Sequence, residues 1–384
     1  MHSVTRTIAM AFFTMAFFTI AFLGPVVAQT SEISAPDREL QTFASELDSL
    51  RKAHHIPGLA AAVVRDQTLV WSTGYGMAYL DDDVPVTPDT PFWIASVTKT
   101  FLGLLFLQLE ADGEISLEDK INDVPEWDDF CEWFSKSGII FGEDLRCNEA
   151  ITVRNILNHT VNGTPGIRFL YNPIMFSRLS RYIEHTYGHS VRDIEGRQNT
   201  MAQLVEKRIL TPAGMERTMS SQWQREKAPV FFDMAQGYGI EDGYYVRRRR
   251  PDRELAGGAG IVSTVEDLAR YDIALDTGTL ASGAVMEKLF TPTVSLDGNT
   301  LPYAFGWYVQ NYNGVRLVWH SGWDEEAGYS ALYLKVPEHD ITLILLANGE
   351  GLWWENPLDG AEVEKSEFAM AFLDRFVLGK AEEK

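Results

Sequence analysis

The chain has 384 residues, of which 45% are hydrophobic and 23% charged, with 10 Trp, 14 Tyr and 21 Phe. That composition can bury a large core and excludes a globally disordered chain. The formal net charge of −21 argues against binding nucleic acid or anionic membrane surfaces through a general field.

Residues 2–8 carry Arg6 and no acid, Ala9–Leu23 is apolar, and Val26-Val27-Ala28 offers small residues for cleavage. This predicts a signal peptide over 1–28 and a secreted or periplasmic protein beginning near Gln29, with no stable membrane anchor. Leu40, Phe43, Leu47 and Leu50 recur at helical spacing in Asp37–His54, and Ile56-Pro57-Gly58 stops that helix. Leu59–Val64 and Thr68–Tyr75 read as a β-hairpin turning at Arg65-Asp66-Gln67, followed by a loop to Thr90. Pro91–Leu109 reads as one helix, apolar nearly all round and therefore buried. It sets Ser96 and Lys99 one turn apart on the same face.

Cys131 and Cys147 are the only cysteines. In an oxidising compartment they are expected to pair, two reduced buried thiols being the alternative. The residues between them read as a surface insertion. Val153–Asn158, Ile174–Thr186, Thr200–Ile209, Thr264–Asp276 and Ser282–Phe290 read as helices. Ala304–Gln310, Arg316–His320, Tyr329–Lys335 and Ile341–Leu346 read as strands, and Glu364–Leu378 as a closing helix. The element order predicts an α/β fold of the α+β type. A mainly antiparallel sheet from 29–90 and 300–384 is flanked by the terminal helices, with a mostly helical lobe, 91–299, inserted.

Several stretches together resemble the serine β-lactamase and penicillin-binding-protein superfamily, in its class C β-lactamase, D-alanyl-D-alanine carboxypeptidase and esterase branch. HHIPGLAAAVV and STGYGMA resemble its opening hairpin, and PFWIASVTKTF its nucleophile helix. ITVRNILNHTVNG, LTPAGMERT and AGGAGIVSTVEDLARY resemble internal segments, and VWHSGW with GYSALYLKVPE resembles the strand pair beside the active site. The resemblance implies a β-lactamase/transpeptidase-like fold and a single serine hydrolase domain over 29–384 without a cofactor or metal. Its catalytic set would be Ser96 as nucleophile, Lys99 as its partner, Tyr171, and His320 of the His320-Ser321-Gly322 element. The family's Tyr-x-Asn element falls on Tyr171-Asn172-Pro173, so proline stands where asparagine is expected. Ser321, Gly322, Trp323 and Asn172 would meet substrate, with the N–H groups of Ser96 and Trp323 as the oxyanion hole.

A serine needs a base to become a nucleophile. A lysine at its reference pKa of about 10.4 is half neutral at pH 7 only if that pKa falls by roughly 3.4, about 4.6 kcal/mol, and burial pushes that way. Either Lys99 or Tyr171 could be the base. His320 is expected to act as a donor and partial cation, making its help pH-dependent near 6.5. His159 is expected to brace a loop. Arg247–Arg250 with Arg253 form the basic run of an acidic chain, either a solvated loop or a guide for anionic substrates at the cleft. Asn158 and Asn162 open glycosylation sequons.

Three functions compete. The first is acyl transfer from a small ester or amide through a Ser96 acyl-enzyme. The second is D,D-peptidase or β-lactamase activity. The third is a catalytically silent binding module, against which the retained Ser, Lys, Tyr and His-x-Gly argue. The chain has no G-x-S-x-G elbow and no H-E-x-x-H, which disfavours an α/β-hydrolase and a zinc hydrolase. Pro173 offers neither donor nor side-chain acceptor, which favours an esterase or peptidase-like role over efficient β-lactam hydrolysis.

Overall fold

The computed structural model describes residues 35–187, 200–221, 224–251 and 255–379. The expected signal peptide, the start near Gln29 and Arg253 lie outside them. Eight antiparallel strands form the central sheet, and both ends of the described chain contribute to it. From one edge the order is Val84–Pro85, Thr68–Tyr79, Gly58–Arg65, Ile341–Ala347, Tyr329–Val336, Val315–Asp324, Trp307–Tyr312 and Tyr303–Ala304. Asp66 and Gln67 both take positive φ, 51° and 57°, the geometry of a two-residue hairpin turn that follows the strand twist.

The sheet separates two cores, and the strands are buried on both faces for that reason. Ala60, Ala62, Ile344 and Tyr333 face a core shared with the inserted helices. Leu59, Val63, Leu343 and Leu334 face a second core. There the terminal helices, α1 (Ala35–Ala53) and Glu367–Leu373, bring Phe43, Phe368 and Phe372 together. A polar tie pins helix Val265–Asp276 to the sheet: Lys335 Nζ donates to Asp272 and Asp276 across 3.0 and 2.6 Å. Among the described residues no helix is long and apolar enough to cross a membrane.

Three local expectations change. The segment after Tyr75 is not all loop, because the strand continues to Tyr79 and pairs with Val84–Pro85. The single helix expected over Pro91–Leu109 is a two-residue strand, Phe92–Trp93, a 3-10 turn, Ala95–Val97, and then helix α2, Thr98–Ala111. Pairing of Phe92–Trp93 with Val262–Ser263 holds the first part extended. Ala95 at φ +45° then starts the turn. Helix Ile174–Thr186 divides into Pro173–Phe176 and Arg178–Tyr187.

The inserted segment between the cysteines is also not wholly superficial. Cys131 and Cys147 are disulfide-bonded. Cys131 and Phe134 are fully buried, so the segment packs into the helical core rather than lying over it.

Candidate active site

Helix α2 is apolar on every side and buried along nearly its whole length, because it threads between the sheet and the helical lobe. Gly103 permits this. A Cβ there would stand 1.6 Å from the Phe305 carbonyl oxygen, so only glycine lets the helix lie against the 305–306 turn. Glycine in a helix interior costs about 1 kcal/mol relative to alanine, which this close approach offsets.

Lys99 therefore has no solvent contact at all. Its Nζ hydrogen-bonds Ser96 Oγ across 2.9 Å and donates to the Gly258 carbonyl at 2.6 Å. It lies over the rings of Tyr171 and Phe176, 5.1 and 5.5 Å from their centroids. Burial in this apolar sleeve pushes its pKa well below that of an ordinary lysine. The amine partner of Ser96 is thus held toward its neutral form. Ser96, half-buried, opens onto a cavity of about 790 Å³.

Ser96 follows a residue in left-handed backbone, Ala95, a conformation that costs a non-glycine residue about 1–2 kcal/mol. The neighbours hold it there. Ile94 N–H donates to the Ile261 carbonyl, and the Ile94 carbonyl oxygen presses on the strand of His320. A Cβ on Gly322 would lie 2.3 Å from that oxygen. Gly322 thus brings the serine turn and strand Val315–Asp324 into contact, and the side chain it lacks would displace Ile94.

Tyr171 reaches the serine from a third direction. Its hydroxyl lies toward the Ser96 side chain; burial raises its pKa and outweighs the lowering from that contact, so it is a phenol at neutral pH. Its ring stacks over Tyr308 at 6.0 Å, and Tyr308 in turn stacks on Trp319 at 4.1 Å. Tyr171 N–H donates to the Leu358 carbonyl, fixing the loop from below.

His320 is brought to the same cavity but does not behave as a partial cation. Its Nδ1 stands 2.6 Å from the Ser321 carbonyl, which can only accept, so Nδ1 carries the proton. Nε2 is then the acceptor for the Tyr303 hydroxyl at 3.0 Å. Burial, with Lys99 nearby, lowers its pKa to about 3. The expected titration near 6.5 is therefore absent, because the charged form would be both desolvated and beside an amine. Tyr303 was not singled out in the sequence, and a lone tyrosine ahead of a strand gives no signal that it would reach His320.

Ser321 and Trp323 border the cavity. Asn172 does not, and its expected role in meeting substrate is corrected. It is fully buried, and its carboxamide donates to Phe141 O at 2.7 Å and to Asn162 Oδ1 at 2.9 Å. Its Oδ1 accepts from Met175 N at 3.0 Å as the N-cap of helix Pro173–Phe176. Asn followed by Pro at the first helical position is a capping signature, which the sequence carried. Pro173 itself lines the cavity. His159 accepts the Asn172 N–H on Nδ1 at 2.9 Å, so it braces the tyrosine loop.

Of the basic run, Arg247–Arg250 lie among the described residues. Arg247 pairs with Asp81 across 2.6 Å, Arg248 with Glu241 across 2.6 Å, and Arg250 caps carbonyls of 231–234. None of Arg247–Arg250 lines the cavity. Asp324, Glu325 and Glu326 line it instead, and no lysine or arginine is among the described residues that do so. Asn158 and Asn162 are buried, so neither sequon is open to a glycosyltransferase in the folded chain.

A family model described as beta-lactamase matches residues 43–364. Penicillin-binding protein 4* of Bacillus subtilis is 27% identical over 353 residues, covering 82% of this chain and 72% of that protein. The unguisins hydrolase ungD' of Aspergillus campestris is 26% identical over 344 residues, and the match covers 80% of this chain but only 61% of that protein's length. The octameric penicillin-binding protein homologue from Pyrococcus abyssi superposes with a TM-score of 0.66 at 22% identity, covering 87% of this chain and 77% of that one.

Proposed function

This chain belongs to the beta-lactamase family, and from that premise we propose that it is a serine hydrolase that cleaves small esters or amides through an acyl-enzyme on Ser96. The observation that carries the reading is the fully buried Lys99 amine, 2.9 Å from Ser96 Oγ and biased toward its neutral form. A neutral amine can take the hydroxyl proton, whereas Tyr171, held as a phenol, cannot. Lys99 is therefore the base and Tyr171 the acid.

Ser96 Oγ attacks the carbonyl carbon while its proton passes to Lys99 Nζ. The ester C–O bond then breaks, and the leaving oxygen takes the Tyr171 proton, which the Lys99 ammonium replaces. Water attacks the acyl-enzyme, giving its proton to Lys99, and Ser96 recovers a proton as the acid departs. The N–H groups of Ser96 and Trp323 receive the oxyanion, each worth about 2.7–4 kcal/mol. General-base help adds about 10²–10⁴ in rate.

An ester substrate is favoured over a carboxylate-terminated peptide because His320 is neutral. Pro173, where the family's asparagine is expected, argues against efficient β-lactam hydrolysis. Export through a signal peptide over 1–28 is part of the same proposal. The test is intact-mass analysis after a fluorophosphonate, with Ser96→Ala as control, alongside kcat/KM for p-nitrophenyl butyrate, nitrocefin and a D-Ala-D-Ala peptide. One Ser96-dependent adduct and fastest turnover of the ester are expected. No adduct, or nitrocefin far ahead of the ester, overturns the reading.

A further inference from the structure

The segment closed by the Cys131–Cys147 disulfide starts within the helix Trp127–Lys136 and continues through a 3-10 turn, Ile140–Gly142. The tip of that turn, Phe141, lines the cavity. It shares that lining with the apolar residues Pro173, Ile174 and Leu358.

Phe141 is held there by its backbone. Its carbonyl accepts from Asn172 Nδ2 at 2.7 Å and from Asn162 Nδ2 at 3.0 Å. Asn162 also donates to the Glu143 carbonyl at 2.8 Å, and Gly163 N–H donates to the Asp144 carbonyl at 2.8 Å. The base of the segment is held by the disulfide and by buried Phe134. The tip thus has two fixings, one covalent at its base and one through the carboxamide next to Tyr171. A wall of this kind is built to keep a side chain in place, which a free surface loop would not need.

We propose that this disulfide-closed segment is the substrate-selecting wall of the cavity, with Phe141 setting how long an uncharged, apolar arm of the substrate it accepts. The inference rests on the Ser96 hydrolase reading and names the substrate class for that site: esters or amides with a short to medium apolar arm. Opening the disulfide loosens the base of the wall, so chain-length selection depends on the redox state of Cys131–Cys147.

The experiment is the ratio of kcat/KM for long against short substrates, in an acyl series of p-nitrophenyl esters from acetate to octanoate and in an alcohol series of alkyl acetates. It is measured for the wild-type full chain, oxidised and reduced, and for Phe141→Ala, Phe141→Leu and the Cys131→Ser/Cys147→Ser pair. Phe141→Ala shifts the ratio toward long chains by roughly tenfold in at least one series, since an apolar pocket discriminates one methylene by about tenfold or more. Phe141→Leu shifts it by less, and reduction shifts it the same way as the cysteine pair. Ser96-dependent turnover with the same ratio in every form overturns this inference and leaves the hydrolase reading standing. Absence of Ser96-dependent turnover in the wild type overturns both.

Discussion

Tyr303 donates its hydroxyl to His320 Nε2 across 3.0 Å while the Ser321 carbonyl occupies Nδ1, so both ring nitrogens are engaged within the fold. The imidazole is a fixed neutral strut at the cavity wall. Between pH 5 and 8 the kcat/KM profile of the wild type therefore shows no limb from His320. A limb near 6.5 that disappears in His320→Gln would contradict this.

Stability carries the opposite signature. The folded pKa of His320 lies at about 3, below the unfolded value of about 6.5. As pH falls below 6.5 the unfolded chain takes a proton that the folded chain refuses, so stability drops between 6.5 and 3. At pH 5 this group costs about 2 kcal/mol relative to neutral pH. Urea midpoints for wild type and His320→Gln, compared at pH 5 and 7.5, should show the smaller acid loss in the variant.

Lys99 exerts a pull of the same sign. Its folded pKa is lowered, so below its unfolded value near 10.4 the unfolded state binds a proton that the native amine resists. Lys99→Met removes that penalty: Tm at pH 7 rises while ester turnover falls by about 10²–10⁴. A variant that loses activity and also unfolds earlier would mean that the amine is held charged.

Pro173 stands at the first position of its helix, where a proline N–H is not missed. Pro173→Asn keeps the fold and adds a donor to the cavity. Nitrocefin turnover relative to p-nitrophenyl butyrate then rises by about 2- to 10-fold, the value of one neutral hydrogen bond. A ratio unchanged by this substitution would remove Pro173 from the account of selectivity.

The parts of the site that were legible in the sequence are those written locally. Ser96 and Lys99 share one turn, and His320-Ser321-Gly322 is a contiguous strand end, so spacing alone keeps their relationship through folding. The sheet was legible too, since strands rich in β-branched and aromatic residues gather at both ends of the sequence. What was not legible depends on partners distant in sequence. Phe141 read as surface because nothing nearby says that Asn162 and Asn172 will reach its carbonyl. His320 read as a potential cation because the Tyr303 hydroxyl and the buried Lys99 are 17 and 221 positions away. The break at Ala95 was hidden by an apolar run that suits a helix as well as a strand.

Strand Gly58–Arg65 lies against Ile341–Ala347, with Val63 opposite Leu343. Closing a loop of that span costs about 5 kcal/mol of chain entropy before any pair is formed. On a ribosome the opening hairpin must wait, one edge bare, until almost everything described here has emerged. Ser96 and His320 meet across a comparably long stretch of chain. Enzyme activity should thus appear as one of the last events of folding, and a chain stopped short of residue 341 would offer an exposed strand edge to its neighbours rather than a catalyst.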